Sequence, residues 1–261
     1  MVIVDSDAYV HDEWLINLVN LLKTGSGVAT TYRFYAPLSR LSLGALLKAS
    51  FNMIGITAMQ NDTARFAWGG STAVWRNLIL KWELVKYLPY YLSDDYVITH
   101  MVHKDGLKVG FTPRSMVITL EDSGVRDAFK WAVRQLWYVK VYGFNGFILY
   151  AASYTLYAVT LPIALALSLF VNWAIVLGLT PYLIGVVKDY YRISRIRFQK
   201  TFYANNIRSR YAYTLAAASI LNVYFSWLAI VVTAFTKSIN WRGRVFTVND
   251  VKRGVESMPL P

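Results

Sequence analysis

The order of apolar and polar positions divides the chain into an alternating first half and a largely uncharged second half. Short apolar runs at Val2–Val4, Val28–Phe34 and Val109–Phe111 are typical of buried strands. Between the first two runs, Asp12–Leu22 places its apolar residues at helical spacing. Alternation of strands and amphipathic helices predicts an α/β domain over residues 1–124.

Two long uncharged runs follow. The first covers 47 residues, 141–187, and the second covers 26 residues, 211–236. One membrane-spanning helix needs about 20 mostly apolar residues, so region 143–236 is predicted to contain about three spans. The first run is expected to break near Phe170–Trp173. The alternative is a helical hairpin buried in a soluble core, but the remaining chain is too small to cover so much apolar surface.

Charge predicts the side of the membrane on which each part lies. The stretch 188–210 holds seven basic residues and one acidic residue, which is typical of a cytoplasmic loop. Two spans separate this loop from residues 1–124, so the first domain is expected on the cytoplasmic face. The basic tail, 237–261, favours the same face, although a third span would place it opposite; the alternative is that one uncharged segment is re-entrant. The chain is thus predicted to be an integral multi-pass membrane protein.

The formal net charge of +12 is concentrated beside the apolar runs. This placement favours contact with anionic lipid headgroups and argues against nucleic acid as a partner. The mixture of aromatic and basic residues in 125–142 predicts an amphipathic helix at the membrane interface. The chain has no cysteine, which excludes disulfides and thiolate zinc sites.

Asp5-Ser6-Asp7 follows the first predicted strand directly. Two carboxylates separated by one small residue suit a hard divalent cation, Mg²⁺ or Mn²⁺, that also carries phosphate oxygens. The alternative is an ordinary Asx-turn, in which an aspartate side chain binds the backbone nearby.

Two further segments combine polar residues with an expected helix start. Gly69 and Gly70 permit close approach of the backbone to a ligand, and Ser71 is expected to cap a following helix. Ser93 or Asp94 forms a good N-cap for a helix that begins here. One of the two acids, Asp94 or Asp95, would then serve the cap, and the other could remove the proton of a bound acceptor hydroxyl. In the simpler interpretation the first segment is a strand-to-helix turn and both acids only stabilise a helix terminus.

The order of these motifs resembles that of membrane glycosyltransferases of family 2, especially the ceramide glucosyltransferase-like branch. The series is D-S-D, W-G-G-S-T-A-V-W-R, S-D-D-Y, an aromatic helix with Arg134-Gln135, apolar spans and I-N-W-R-G-R from Ile239 to Arg244. The resemblance covers nearly the whole chain. It implies the C-terminal part of a GT-A-like catalytic domain, followed by a transmembrane helical region.

The resemblance also implies a role for each motif. Asp5 and Asp7 would hold the metal and the donor diphosphate, and Asp95 would be the general base. The family usually carries Q/R-x-x-R-W in its interfacial helix, but Trp137 and Tyr138 stand where Arg-Trp is expected. The cation that the family places there for the leaving diphosphate is therefore missing. Either Arg134 supplies that positive charge instead, or the contacts with the acceptor differ. The expected acceptor residues are Gly69, Gly70, Ser71, Asp94, Gln135 and Trp137.

The implied reaction is an inverting transfer of a sugar from a nucleotide-sugar donor, expected to be a UDP-sugar, to a lipid acceptor. The family places a nucleotide-binding half before the D-x-D strand, whereas four residues precede Asp5 here. The resemblance therefore implies a chain that lacks this half, through a late start codon, a separate partner chain or decay. Val2–Val4 would then pair with Val28–Phe34 and Val109–Phe111 and leave its other edge open.

Two other functions are compatible with the sequence. A processive polysaccharide synthase would use a growing glycan as acceptor, although it usually needs more spans to form a channel. A non-catalytic membrane subunit or a fragment would keep the motifs without the activity.

Overall fold

The structure is a computed structural model that describes residues 1–68, 70–87, 92–195, 205–241 and 243–251. The chain divides into two compact units. Unit 1 consists of Met1–Ala36, Asn52–Glu121 and Lys237–Pro261, and unit 2 consists of Pro37–Phe51 and Asp122–Thr236. Among the described residues, unit 1 contains strands and helices, whereas unit 2 contains helices.

The first sheet of unit 1 has four strands in the described part of the chain. They are β1 (Val2–Val4), β3 (Val28–Thr30), β5 (Ser71–Val74) and β6 (Val109–Phe111), in the order β1-β5-β3-β6. β5 runs antiparallel to β1 and to β3, whereas β3 and β6 are parallel. The expected neighbours of Val2–Val4 are therefore wrong, because β5 lies between β1 and β3. The apolar pattern identified three strands but not β5, whose sequence Ser-Thr-Ala-Val follows a glycine pair.

The second sheet contains β2 (Ala8–Tyr9), β4 (Arg33–Ala36) and β7 (Val117–Leu120), in the order β2-β7-β4. The expectation of one strand over Val28–Phe34 is wrong, because the chain leaves the first sheet after Thr30 and joins the second at Arg33. Thr31 lies at this crossover, where its hydroxyl donates to the carbonyl of Thr112 at 2.7 Å. Thr and Tyr favour strands, so strand-forming composition continues through the crossover and the pattern alone could not show the change of sheet.

The first sheet is packed on both faces by helices of unit 1. These helices are α1 (Trp14–Lys23), α4 (Arg76–Lys81), α5 (Leu84–Tyr87) and α6 (Asp94–Lys104). A further short helix, α3 (Ile54–Gln60), precedes β5 in the chain. Leu18 and Leu22 of α1 pack with Ala29 and Ala73. Val28 and Val74, each adjacent in sequence to one of these alanines, lie on the opposite face of the sheet and pack in the hydrophobic core formed with α4–α6. The predicted α/β arrangement and the predicted helix near Asp12–Leu22 are both confirmed.

Unit 2 is formed by helices α2 (Leu43–Asn52), α7 (Val125–Tyr142), α8 (Phe144–Leu167), α9 (Ala174–Arg195) and α10 (Asn205–Phe235). The helix expected over 125–142 is present as α7. α8 and the Tyr211–Phe235 part of α10 are long and apolar enough to cross a membrane. The expected break in the first uncharged run is confirmed between Leu167 and Ala174.

The basic stretch 188–210 differs from the loop that was expected. Helix α9 continues through its first eight residues and ends at Arg195, while α10 begins at Asn205. Residues 196–204 lie outside the described residues. In the basic tail, β8 (Ser238–Trp241) and β9 (Arg244–Thr247) form an antiparallel hairpin.

Lys140 of α7 binds the C-terminal end of α10. Its ammonium donates to the carbonyls of Thr233, Ala234 and Thr236 at 2.9, 2.8 and 3.0 Å. Carbonyls in the last turn of a helix have no partner within the helix, and they form the negative end of its dipole. The ammonium thus satisfies groups that would be costly to leave unpaired.

We expect Lys140→Met to lower the free energy of unfolding by about 2 kcal/mol, because three carbonyls lose a charged donor. Thermal unfolding of the full chain in detergent measures the change. Lys130→Met is the matched control, since Lys130 lies on the exposed face of the same helix. Equal effects of the two substitutions would contradict a capping role for Lys140.

Candidate active site

The Asp5-Ser6-Asp7 motif is the connection between the two sheets of unit 1. β1 ends at Val4 in the first sheet, and β2 begins at Ala8 in the second. The Ala8 N–H donates to the Asp5 carbonyl at 3.1 Å, which closes a turn over the motif. The side chains of Asp5 and Asp7 are 44% and 54% exposed, so both carboxylates remain accessible to a ligand.

Both carboxylates bind one guanidinium group, that of Arg33 at the start of β4. Its Nη1 donates to Asp5 Oδ2, and its Nη2 donates to Asp7 Oδ2 at 2.5 Å. Its Nε donates to Thr119 Oγ1 at 2.8 Å. The Arg33 side chain is only 12% exposed, so this cation belongs to the interior of the site.

Arg33 is not among the site residues that the sequence predicts. It lies 28 residues from Asp5 along the chain, within an apolar run that was interpreted as a strand. A single charged residue inside such a run is the signal that was available, because a charge is rarely buried without an opposite charge nearby.

Ser71 and Gly70 lie beside this pair of acids. Ser71 is the first residue of β5 and is paired with Val4, the residue immediately before Asp5. Its hydroxyl accepts a hydrogen bond from Trp14 Nε1 at 2.6 Å. The expected capping role of Ser71 is wrong, because the next helix, α4, begins at Arg76 after a complete strand.

Gly70 makes room for the Arg33 side chain. A Cβ atom at position 70 would lie 2.9 Å from Arg33 Cδ, closer than such atoms normally approach. Glycine is therefore suited to this position, because it lets the aliphatic part of Arg33 pass against the backbone. Gly69, also expected at the acceptor side, lies outside the described residues.

Asp94 and Asp95 form the first turn of α6, as predicted, with Ser93 at the N-cap position. Asp94 Oδ1 accepts a hydrogen bond from the Asp95 N–H at 3.1 Å, which gives Asp94 a local role at the helix start. Asp95 Oδ1 is shielded from solvent. Asp95 thus lies at the N-terminal end of α6, where the helix dipole is positive.

The first turn of α6 is attached to the segment that leads to Gly70. Thr99 Oγ1 donates to the Asp95 carbonyl at 2.5 Å and accepts from the Ala67 N–H at 2.8 Å. The rings of Phe66 and Tyr96 are stacked with centroids 6.3 Å apart. Unit 1 therefore contains both the D-S-D motif and the acids of α6, with the 66–71 segment between them in the chain.

Arg134, Gln135 and Trp137 lie on α7, which belongs to unit 2. Trp137 is fully buried, whereas Arg134 and Gln135 are half-buried. Assignment of Arg134 to the donor diphosphate, and of Gln135 and Trp137 to the acceptor, stays a prediction.

Asp5 and Asp7 have the chemistry that a hard divalent cation requires. Mg²⁺ commonly uses one or two protein carboxylates and completes its coordination with water and substrate phosphates. No cluster of three or more potential metal-binding side chains occurs in the described part of the chain. The convergence of both carboxylates on the Arg33 guanidinium indicates that they can serve one cation together. The pair fits a metal that arrives with a diphosphate.

Asp105 anchors the other end of α6. Its carboxylate accepts from Trp82 Nε1 at 2.7 Å and from Lys81 Nζ at 2.9 Å, and its side chain is 5% exposed. These hydrogen bonds, that from Lys81 first, lower the pKa of Asp105. Asp105 therefore fastens the helix that carries Asp95 to the segment around α4.

We expect Asp105→Asn to lower the free energy of unfolding by about 1–2 kcal/mol at pH 7. The folded-state pKa lies below the unfolded value of about 3.9, so the stabilisation is present above pH 4 and is lost as the pH falls through the folded pKa. Thermal unfolding between pH 3 and 7 should show the difference from wild type shrinking in acid. The control is Asp62→Asn, whose 73% exposed ion pair should contribute little. A difference that persists unchanged at pH 3 would contradict the assignment.

A family model described as Glycosyl transferase family 21 matches residues 1–253. The chain belongs to this glycosyltransferase family. The match confirms the expected class of enzyme but not the broader assignment to family 2. A comparison with curated proteins gave no significant match.

Proposed function

We propose that this glycosyltransferase moves a sugar from a nucleotide-sugar donor, expected to be a UDP-sugar, to a lipid acceptor. One observation carries the proposal: Asp5 and Asp7 both bind a single cation, the Arg33 guanidinium, beside Gly70 and Ser71. Paired acids that can share a cation are suited to a donor whose leaving group is a diphosphate.

Asp95 is the general base of the proposed reaction. It accepts the proton of the acceptor hydroxyl while the hydroxyl oxygen forms a bond to the anomeric carbon. The bond from that carbon to the diphosphate oxygen breaks, and the nucleoside diphosphate leaves from the opposite face. The configuration of the sugar is therefore inverted.

Asp5 and Asp7 would hold Mg²⁺ or Mn²⁺ together with the donor diphosphate. When bound, the metal offsets the negative charge that grows on the leaving group. Gly70, Ser71 and Asp94 are assigned to the acceptor side, next to the proposed base. The backbone near Gly70 offers a close approach, while Asp94 supports the helix start that presents Asp95.

The direct test incubates the full chain with radiolabelled UDP-sugars and extracted membrane lipids. We expect label to enter the organic phase with the mobility of a singly glycosylated lipid. Label in a long water-soluble glycan would instead support a processive synthase. Absence of transfer from every donor, with the chain folded, would contradict the proposed activity.

The proposed setting is the cytoplasmic face of a membrane that α8 crosses outward and α9 crosses back, with Tyr211–Phe235 as a re-entrant segment, because Lys140, just before α8, binds the C-terminal end of that segment. An even number of spans then lies between unit 1 and the basic end of α9. This arrangement brings a soluble sugar nucleotide and a lipid acceptor to the same surface.

The topology predicts opposite reactivity for two single cysteines in a chain that has none of its own. Ser194→Cys lies on the exposed surface near the end of α9 and should be protected from an impermeant thiol reagent outside intact cells. Leu169→Cys, in the connection after α8, is 82% exposed and should be labelled. Labelling of Ser194→Cys before cell lysis would contradict the proposed orientation.

A further inference from the structure

Arg33 lies between Asp5 and Asp7, where the proposed function places a divalent cation. The role inferred for Arg33 rests on the proposed glycosyltransferase function. The guanidinium binds the Oδ2 atoms of both Asp5 and Asp7. Two carboxylates so close together repel each other, and a shared cation removes that repulsion. Arg33 therefore holds both acids towards one guanidinium group.

Contacts on several sides fix this arginine. Nε is bound by the hydroxyl of Thr119, a buried residue of the central strand β7. The guanidinium carbon lies 5.1 Å from the centre of the Tyr35 ring. Gly70 leaves space for its aliphatic part. Such support distinguishes Arg33 from a surface arginine that forms a chance ion pair.

A metal ion between Asp5 and Asp7 would compete with Arg33 for the same oxygen atoms. Two cations sharing this pair of acids would repel each other, so the guanidinium must give up at least one carboxylate. A displaced guanidinium needs a new anionic partner, and its planar fork of N–H donors matches phosphate oxygens. The donor diphosphate supplies such an anion when it arrives with the metal.

We propose that Arg33 is a positioning residue that holds Asp5 and Asp7 in the metal-free enzyme and makes metal binding dependent on the donor diphosphate. The bare metal binds weakly because it must displace a bound cation. The metal with a nucleoside diphosphate binds well because the released guanidinium pairs with the diphosphate. Arg33 thereby couples the two ligands.

The test measures Mn²⁺ binding to the purified full chain by electron paramagnetic resonance, with and without UDP. Arg33→Gln should bind bare Mn²⁺ about tenfold more tightly than wild type, since a competing charge is removed. The gain in Mn²⁺ affinity produced by UDP should fall by about the same factor. Arg76→Gln, an exposed arginine at the start of α4, should behave like wild type.

A second variant acts on the same arginine without removing it. Thr119→Val keeps the side-chain shape but removes the acceptor of Arg33 Nε, and should raise affinity for bare Mn²⁺ about two- to threefold. If Arg33→Gln does not fold, as judged by thermal unfolding, this variant decides the outcome. Wild-type Mn²⁺ affinity in Thr119→Val then overturns the proposal.

The remaining outcomes separate the coupling role from the metal site itself. If Asp7→Ala abolishes Mn²⁺ binding but Arg33→Gln binds bare Mn²⁺ no more tightly than wild type, the coupling role of Arg33 is wrong and the metal site stands. If neither wild type nor Arg33→Gln binds Mn²⁺ in the presence of UDP, both the coupling role and the proposed metal site are wrong.

Discussion

Replacing Asp95 with asparagine should abolish detectable sugar transfer while binding of the donor survives. Asparagine preserves the size of the side chain at the start of α6 but cannot accept the proton of the acceptor hydroxyl. Removal of a general base typically costs about 10²- to 10⁴-fold in rate. Initial rates of label transfer to lipid measure the loss, and the thermal shift with UDP and Mn²⁺ measures donor binding.

Asp94→Asn is the matched substitution for this experiment. Asp94 precedes Asp95 in the same turn, and its carboxylate binds the Asp95 N–H. Loss of the Asp94 carboxylate should therefore reduce transfer by less than tenfold, because it only shifts the position of Asp95. Near-normal turnover in Asp95→Asn, or a larger defect in Asp94→Asn than in Asp95→Asn, would contradict the assignment of Asp95 as the general base.

Asp7→Ala should abolish the stabilisation that Mn²⁺ and UDP give to the full chain. At a ligand concentration of about 100 times Kd, binding stabilises the folded state by about 2.7 kcal/mol, which corresponds to about 5–10 °C in Tm for a chain of this size. The variant loses one of two carboxylates and leaves Arg33 with Asp5 alone.

Asp12→Ala provides the control for this prediction, because Asp12 is an exposed acid a few residues further along the chain. Its thermal shift should equal that of wild type. A full thermal shift in Asp7→Ala would show that the nucleotide binds elsewhere and that the D-S-D motif is only a turn.

The sequence was most informative where local chemistry determines local structure. Ser93 precedes the first turn of α6 as its composition indicates, and α7 follows the aromatic and basic pattern of 125–142. The break after Leu167 lies close to the predicted position. Each of these features depends on residues only a few positions apart.

Features that depend on distant residues were harder to predict. Val28–Phe34 has the composition of one strand, yet it contributes to two sheets, and Thr31 and Tyr32 are buried where the chain passes from one to the other. Ser71 was expected to cap a helix and instead begins a strand between two others. Arg33 contacts Asp5 and Asp7 only after both sheets have formed. Which strands pair, and in which sheet, depends on residues far apart in the sequence, so a linear pattern of apolar positions does not reveal it.

The crossover at Asp5–Asp7 also limits the length of this segment, whatever chemistry it performs. Three residues connect β1 in one sheet to β2 in the other, and β2 pairs through Ala8 with Thr119 and through Tyr9 with Ile118. An inserted residue would have to bulge out of the turn or shift β2 by one position. A shift of one position turns every side chain of a strand to its opposite face. Insertions and deletions are therefore expected to be tolerated less well here than substitutions of Ser6.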